Sequence, residues 1–221
     1  MNQQGGSDMA RKNKSIEQLF HKIQILVDNI EANDAIKAAL ATRGITAERV
    51  TAFKEQFNVG KVQYETQISN YSGKKGFSLQ FREKLNQTRK TYSDDVEIAR
   101  IALEDSPEFL ELLDLYGSRD VTLAGGFAQM GRFYQNALDN ADVKTKLAAF
   151  GLTEVQLQAG LTNLNAAITA NSKIHDAAGD AEQSTQKRNA VVAALGKERS
   201  RILKIAGVAL KDQPELLEKL K

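Results

Sequence analysis

Cysteine and tryptophan are absent from this 221-residue chain, proline and histidine occur twice each, and aromatic residues make up 6% of it. Without cysteine there is no disulfide framework, thiolate nucleophile or cysteine-ligated zinc. The two histidines, His21 and His175, stand in unrelated contexts, and no Glu-x-x-His pair occurs. That removes the ligand set by which a helical bundle holds two iron or manganese ions. A Gly-x-Ser-x-Gly elbow and a phosphate-cradling Gly-x-x-x-x-Gly-Lys-Ser/Thr loop are likewise missing. No catalytic residue, cofactor or metal is expected.

Charge of one sign is also lacking. Thirty basic and 28 acidic residues leave a net charge of +2, so no overall field draws the chain to nucleic acid or to an anionic membrane. No apolar run approaches the roughly 20 residues that a membrane span needs. Arg11, Lys12 and Lys14 precede an amphipathic stretch from Ile16 to Val27 rather than the apolar block of a signal peptide. The cytoplasm is the default compartment, with no membrane span and with nucleic acid disfavoured as a partner.

What the chain has is repetition. Pro107 and Pro214 sit in matching surroundings: residues 99–113 lie over residues 206–220 at a displacement of 107, with nine of fifteen pairs identical. The same displacement carries Gly44-Ile45-Thr46 onto Gly151-Leu152-Thr153, and Lys37, Leu40 and Ala41 onto Lys144, Leu147 and Ala148. Register kept over such a length marks an internal duplication. It divides the chain into a polar arm at 1–14, a first repeat at 15–121 and a second at 122–221.

Abundant Ala, Leu, Lys, Glu and Gln with scarce proline favour long helices, so the fold class is all-α. Apolar residues from Ile16 to Ile30 recur at helical spacing, and a counterpart begins near Thr122 and runs to Leu138. Short helices are expected at 35–42 and 142–150. Gly44 and Gly151 suit the left-handed residue after a helix, while Thr46 and Thr153 suit the N-caps of the next one, with Gln156 closing a capping box in the second repeat. Ile45 with Val50, and Leu152 with Leu157, form hydrophobic staples.

Long helices follow at 47–71 and 154–178. Turns are expected at 72–76 and at Gly179-Asp180, after which each chain segment returns as a second long helix ending before its proline. Each repeat would thus form an antiparallel hairpin, and two hairpins would pack as one bundle. Asp105 and Asp212 are candidate caps for the Pro-Glu-x-Leu-Glu segments that follow.

Candidate sites are few. Phe133 and Tyr134 adjoin in sequence and point different ways on a helix, so one of them is expected to reach a neighbouring helix or another subunit. With Arg11, Lys12 and Lys14 they form the candidate interaction surface. Gly60 and Tyr64 in the first repeat, and Asn171 and His175 in the second, stand at underfilled or polar seam positions and are the candidate pocket. The expected function is a non-catalytic, elongated helical structural or protein-interaction protein that associates with itself or another protein. A small-ligand-binding bundle is the alternative, and an enzyme built around His175 comes third.

Overall fold

A computed structural model describes the backbone of residues 4–221 and the side chains of residues 13–221. Among the described residues there are eight helices and no strand: α1 (Gln4–Ala32), α2 (Asp34–Ala41), α3 (Ala47–Ala102), α4 (Pro107–Leu112), α5 (Leu123–Asp139), α6 (Ala141–Ala149), α7 (Glu154–Ala209) and α8 (Pro214–Glu218). The joints follow local chemistry. Gly44 and Gly151 hold φ of 79° and 86°, the region a side chain disfavours. The Oγ1 of Thr46 accepts from Arg49 N–H at 3.4 Å, and in the second joint Gln156 Oε1 accepts from Thr153 N–H at 2.8 Å. The staple residues Ile45, Val50, Leu152 and Leu157 are all buried.

Residues 4–14 of the polar arm form the first turns of α1; Met1 to Gln3 lie outside the described residues. Two expectations are corrected. The turns expected at 72–76 and 179–180 are absent, and α3 and α7 each run unbroken for 56 residues. Glycine in a helix interior costs about 1 kcal/mol, whereas a turn there would strand the terminal N–H and C=O groups of two helices. Nothing at 72–76 supplies a stop: there is no proline, and Gly73 and Gly76 do not adopt positive φ. The 3–4 spacing of Val50, Phe53, Phe57, Gly60, Tyr64 and Gln67 runs in one phase to Phe81, Leu85, Thr88 and Tyr92. Finally, Ser106 and Gln213, not Asp105 and Asp212, occupy the N-cap positions of α4 and α8, and neither makes a side-chain capping bond.

With the turns gone, the hairpins go too. The packing separates two compact units: bundle one comprises residues 4–70 with Asp180–Lys221, and bundle two comprises Tyr71–Gly179. The boundary between these compact units falls within the two long helices, at residues 70/71 and 179/180.

In bundle one, α1 lies against the first part of α3 and the last part of α7. Phe20 meets Phe57 and Tyr64 edge-on at 5.6 and 5.7 Å between ring centres. Leu19 approaches Gly196, and Leu195 packs on Gly60. Ile36 and Leu40 of the short helix α2, and Leu220 just after α8, close the end and are fully buried. Arg49 bridges to Glu198 at 2.8 Å, and Lys54 to Glu31 at 2.7 Å.

Bundle two uses α5 against the last part of α3 and the first part of α7. Tyr92, Phe133 and Tyr134 form an edge-to-face triad with ring centres 5.0–6.1 Å apart. Contacts of this kind add about 0.5–1.5 kcal/mol each beyond the area they bury. Val143 and Leu147 of α6, with Leu113 after α4, complete the core.

Candidate functional site

Both residues at the centre of the expected interaction surface, Phe133 and Tyr134, are fully buried. The correction follows from the three-helix arrangement. A helix seated between two others buries a stripe wider than a single seam, so Phe133 meets Tyr92 of α3 while Tyr134 lies over Gly160 of α7. A Cβ built on Gly160 would fall on the Tyr134 ring. Of the basic candidates, Lys14 is exposed on α1, and the side chains of Arg11 and Lys12 lie outside the described residues.

The four candidate pocket residues do not share a bundle. Gly60 and Tyr64 belong to bundle one, whereas Asn171 and His175 belong to bundle two. Gly60 is filled rather than hollow: a Cβ there would come within 2.6 Å of Leu195 and 3.3 Å of Val191. Tyr64 donates its O–H to Glu17 at 2.7 Å; burial, then this carboxylate partner, raise the phenol to about 12. Asn171 is half-buried and His175 exposed. Burial passes through Gln67 instead of Ile68, the residue aligned with His175, because the seam steps by three after Tyr64.

Buried polar groups were the least visible part of the chain beforehand. Tyr134 donates to Asp95 Oδ2 at 2.8 Å inside bundle two. Burial raises the Asp95 carboxyl, the Tyr134 hydrogen bond lowers it in part, and burial also pushes the Tyr134 phenol up. In bundle one, Arg188 Nη1 donates to Gln67 Oε1 at 3.0 Å, and its other nitrogens donate to Asn189 Oδ1. Burial lowers the guanidinium pKa without depriving it of partners. These groups satisfy one another, as buried polar atoms must. A signal for them existed: Asp95 and Arg188 each fall on the 3–4 rhythm of their helix.

A recess sits elsewhere, in bundle one, where α1 ends and α2 and α3 begin. Its volume is about 480 Å³; Ile30, Ile45 and Val50 form its floor, and Ala38, Ala41 and Ala47 form its walls. The Glu31–Lys54 and Asp34–Lys37 pairs lie at its rim. The aligned place in bundle two is built differently. Thr145 replaces Ala38 and Glu154 replaces Ala47, and Glu154 pairs with Lys144 at 3.4 Å. Lys37, which aligns with Lys144, faces no such carboxylate from position 47.

Among the described residues, no helix is long and apolar enough to cross a membrane. Comparison with protein-family models, curated proteins and solved structures finds no match to this chain.

Proposed function

We propose that this is a non-catalytic helical structural or protein-interaction protein, internally duplicated, that associates with copies of itself. The duplication reading rests on the shared displacement: α7 begins and ends 107 residues after α3. One observation carries the interaction reading. Ile101 and Val208, aligned at that displacement near the ends of α3 and α7, are 58% and 57% exposed. Single exposed aliphatic residues are ordinary; the same exposed aliphatic position in both repeats is a retained surface feature. The Tyr134–Asp95 and Arg188–Gln67 hydrogen bonds are each made within one bundle. Light scattering across a wide concentration range tests the reading. A mass that rises with concentration, and that falls in Ile101→Asp and Val208→Asp, supports it; a constant monomer mass overturns it.

The second reading is a small-ligand-binding bundle, and the recess between α1, α2 and α3 favours it. An apolar floor with an ion-paired rim suits a small apolar molecule. Native mass measurement after gentle purification would detect a retained ligand. Ala47→Glu, which copies the bundle-two arrangement opposite Lys37, should abolish that retention.

A further inference from the structure

The two repeats present aligned outer faces whose charges are reversed. On the last part of α3 and the turn after it, Asp94, Glu97, Ile101 and Glu104 recur every three or four residues and are all exposed. This is one helix face, about 15 Å long at 1.5 Å per residue. The aligned residues on α7 and its following turn are Arg201, Lys204, Val208 and Lys211, also all exposed. The aliphatic position is retained while three acids become three bases.

The reversal extends to the surroundings. Residues 89–114 contain three basic and eight acidic residues, a net charge of −5, whereas residues 196–221 contain seven basic and four acidic residues, a net charge of +3. The chain's near-neutral total conceals this separation. Among the described residues Asp94, Glu97 and Glu104 take part in no ion pair, so their charge is not spent internally. Glu104 also stands at a helix C-terminus, where a negative charge opposes the helix dipole and gives nothing to local stability. On the cationic side, Lys197, Ser200, Arg201, Lys204 and Ile205 line a shallow depression of about 380 Å³. Arg201 pairs with Glu198 at 2.8 Å, and Lys211 lies 3.9 Å from Asp212 at an exposed site.

From this complementarity we infer that the cationic face of bundle one in one copy docks on the anionic face of bundle two in the next. The inference rests on the self-association proposed above and supplies its mode. Ile101, with Glu97 four residues before it and Glu104 three after it, meets Val208, with Lys204 four residues before it and Lys211 three after it. In parallel register the signs oppose at all three charged positions: Asp94 with Arg201, Glu97 with Lys204, and Glu104 with Lys211. Each copy carries one face of each sign, so the contact is heterologous and propagates from copy to copy. Opposed charges chiefly set partner choice and encounter rate, while the aliphatic pair contributes the apolar area.

Two charge-reversed full-length chains test this. Glu97→Lys with Glu104→Lys makes both faces cationic, and Lys204→Glu with Lys211→Glu makes both anionic. All four positions are exposed, and unchanged helical circular dichroism verifies folding. By sedimentation, each variant alone should associate about tenfold or more weakly than the natural chain, and an equimolar mixture should regain its association. Association of either variant alone at the natural strength overturns the charge pairing while leaving self-association standing. Weakened variants whose mixture does not recover overturn it as well. A natural chain that stays monomeric throughout overturns the self-association reading itself.

Discussion

Bundle one and bundle two set an outer helix against parts of the same two long helices, but they distribute volume between those helices in opposite ways. At one pair of aligned positions bundle one has Val27 on α1 and Phe53 on α3, while bundle two has Tyr134 on α5 and Gly160 on α7. All four are buried. Bulk has moved from the long helix to the outer helix. The transfer brings a hydroxyl inside, and Asp95 replaces the position of Ile202 to receive it. Cores keep total volume more strictly than they keep the identity of any residue, so two bundles can differ in buried chemistry while keeping the same arrangement of helices.

The largest expected effect breaks that exchange. Gly160→Phe alone should destabilise the protein by about 3 kcal/mol or more, because the Tyr134 ring occupies the space. Adding Tyr134→Val and Asp95→Ile recreates the bundle-one combination and should recover more than half of the loss in denaturant unfolding. No recovery would mean that the two bundles do not share this packing site.

Tyr134→Phe should cost less, about 1–3 kcal/mol, by leaving the buried Asp95 carboxylate without its donor. Its pH dependence has a definite sign. Burial raises the folded Asp95 pKa above the unfolded value, so stability falls as pH rises from the usual carboxylate range through the folded value. The Tyr134 hydrogen bond opposes that rise, and removing it moves the folded value higher still. The loss in Tyr134→Phe should therefore be largest near neutrality and shrink on acidification, as measured by urea unfolding at several pH values. A loss independent of pH would mean that the hydroxyl's role is packing alone.

The smallest effect sharpens the comparison between joints and long helices. Gly76→Ala should stabilise by about 0.5–1 kcal/mol, since Gly76 is helical and a Cβ there meets nothing within 4 Å. Gly44→Ala should instead destabilise by about 1 kcal/mol, because φ is 79° at that joint. Thermal unfolding distinguishes the signs, and destabilisation by Gly76→Ala would restore the turn that α3 lacks.

The same contrast explains what could be read from the chain. Gly44, Gly151, Thr153 with Gln156, and the two prolines act through neighbours in sequence, so the joints and short helices were legible. Gly73 and Gly76 were misleading because glycine permits a turn without requiring one, and the deciding factor is the unbroken apolar phase on either side. The different directions of Phe133 and Tyr134 were legible, but which neighbour each meets was not: both neighbours, Tyr92 of α3 and Gly160 of α7, lie in the same bundle, so both side chains are buried. The partners of Asp95 and Arg188 lie 39 and 121 residues away in sequence, and spacing carries no record of such distances. Gly60 belongs with these: it is small because Leu195 comes close, not because space is left over.

The first part of α3 packs on the last part of α7, where hairpins within each repeat would pack α3 on itself. Because the chain has no cysteine, a single introduced pair reports without background. Arg49→Cys with Glu198→Cys replaces side chains that meet at 2.8 Å in bundle one, and a short thiol-to-thiol linker should join them within one dilute chain. Efficient intramolecular linkage is the predicted result; its absence, in a folded chain whose two thiols both react with a monofunctional reagent, would contradict the account.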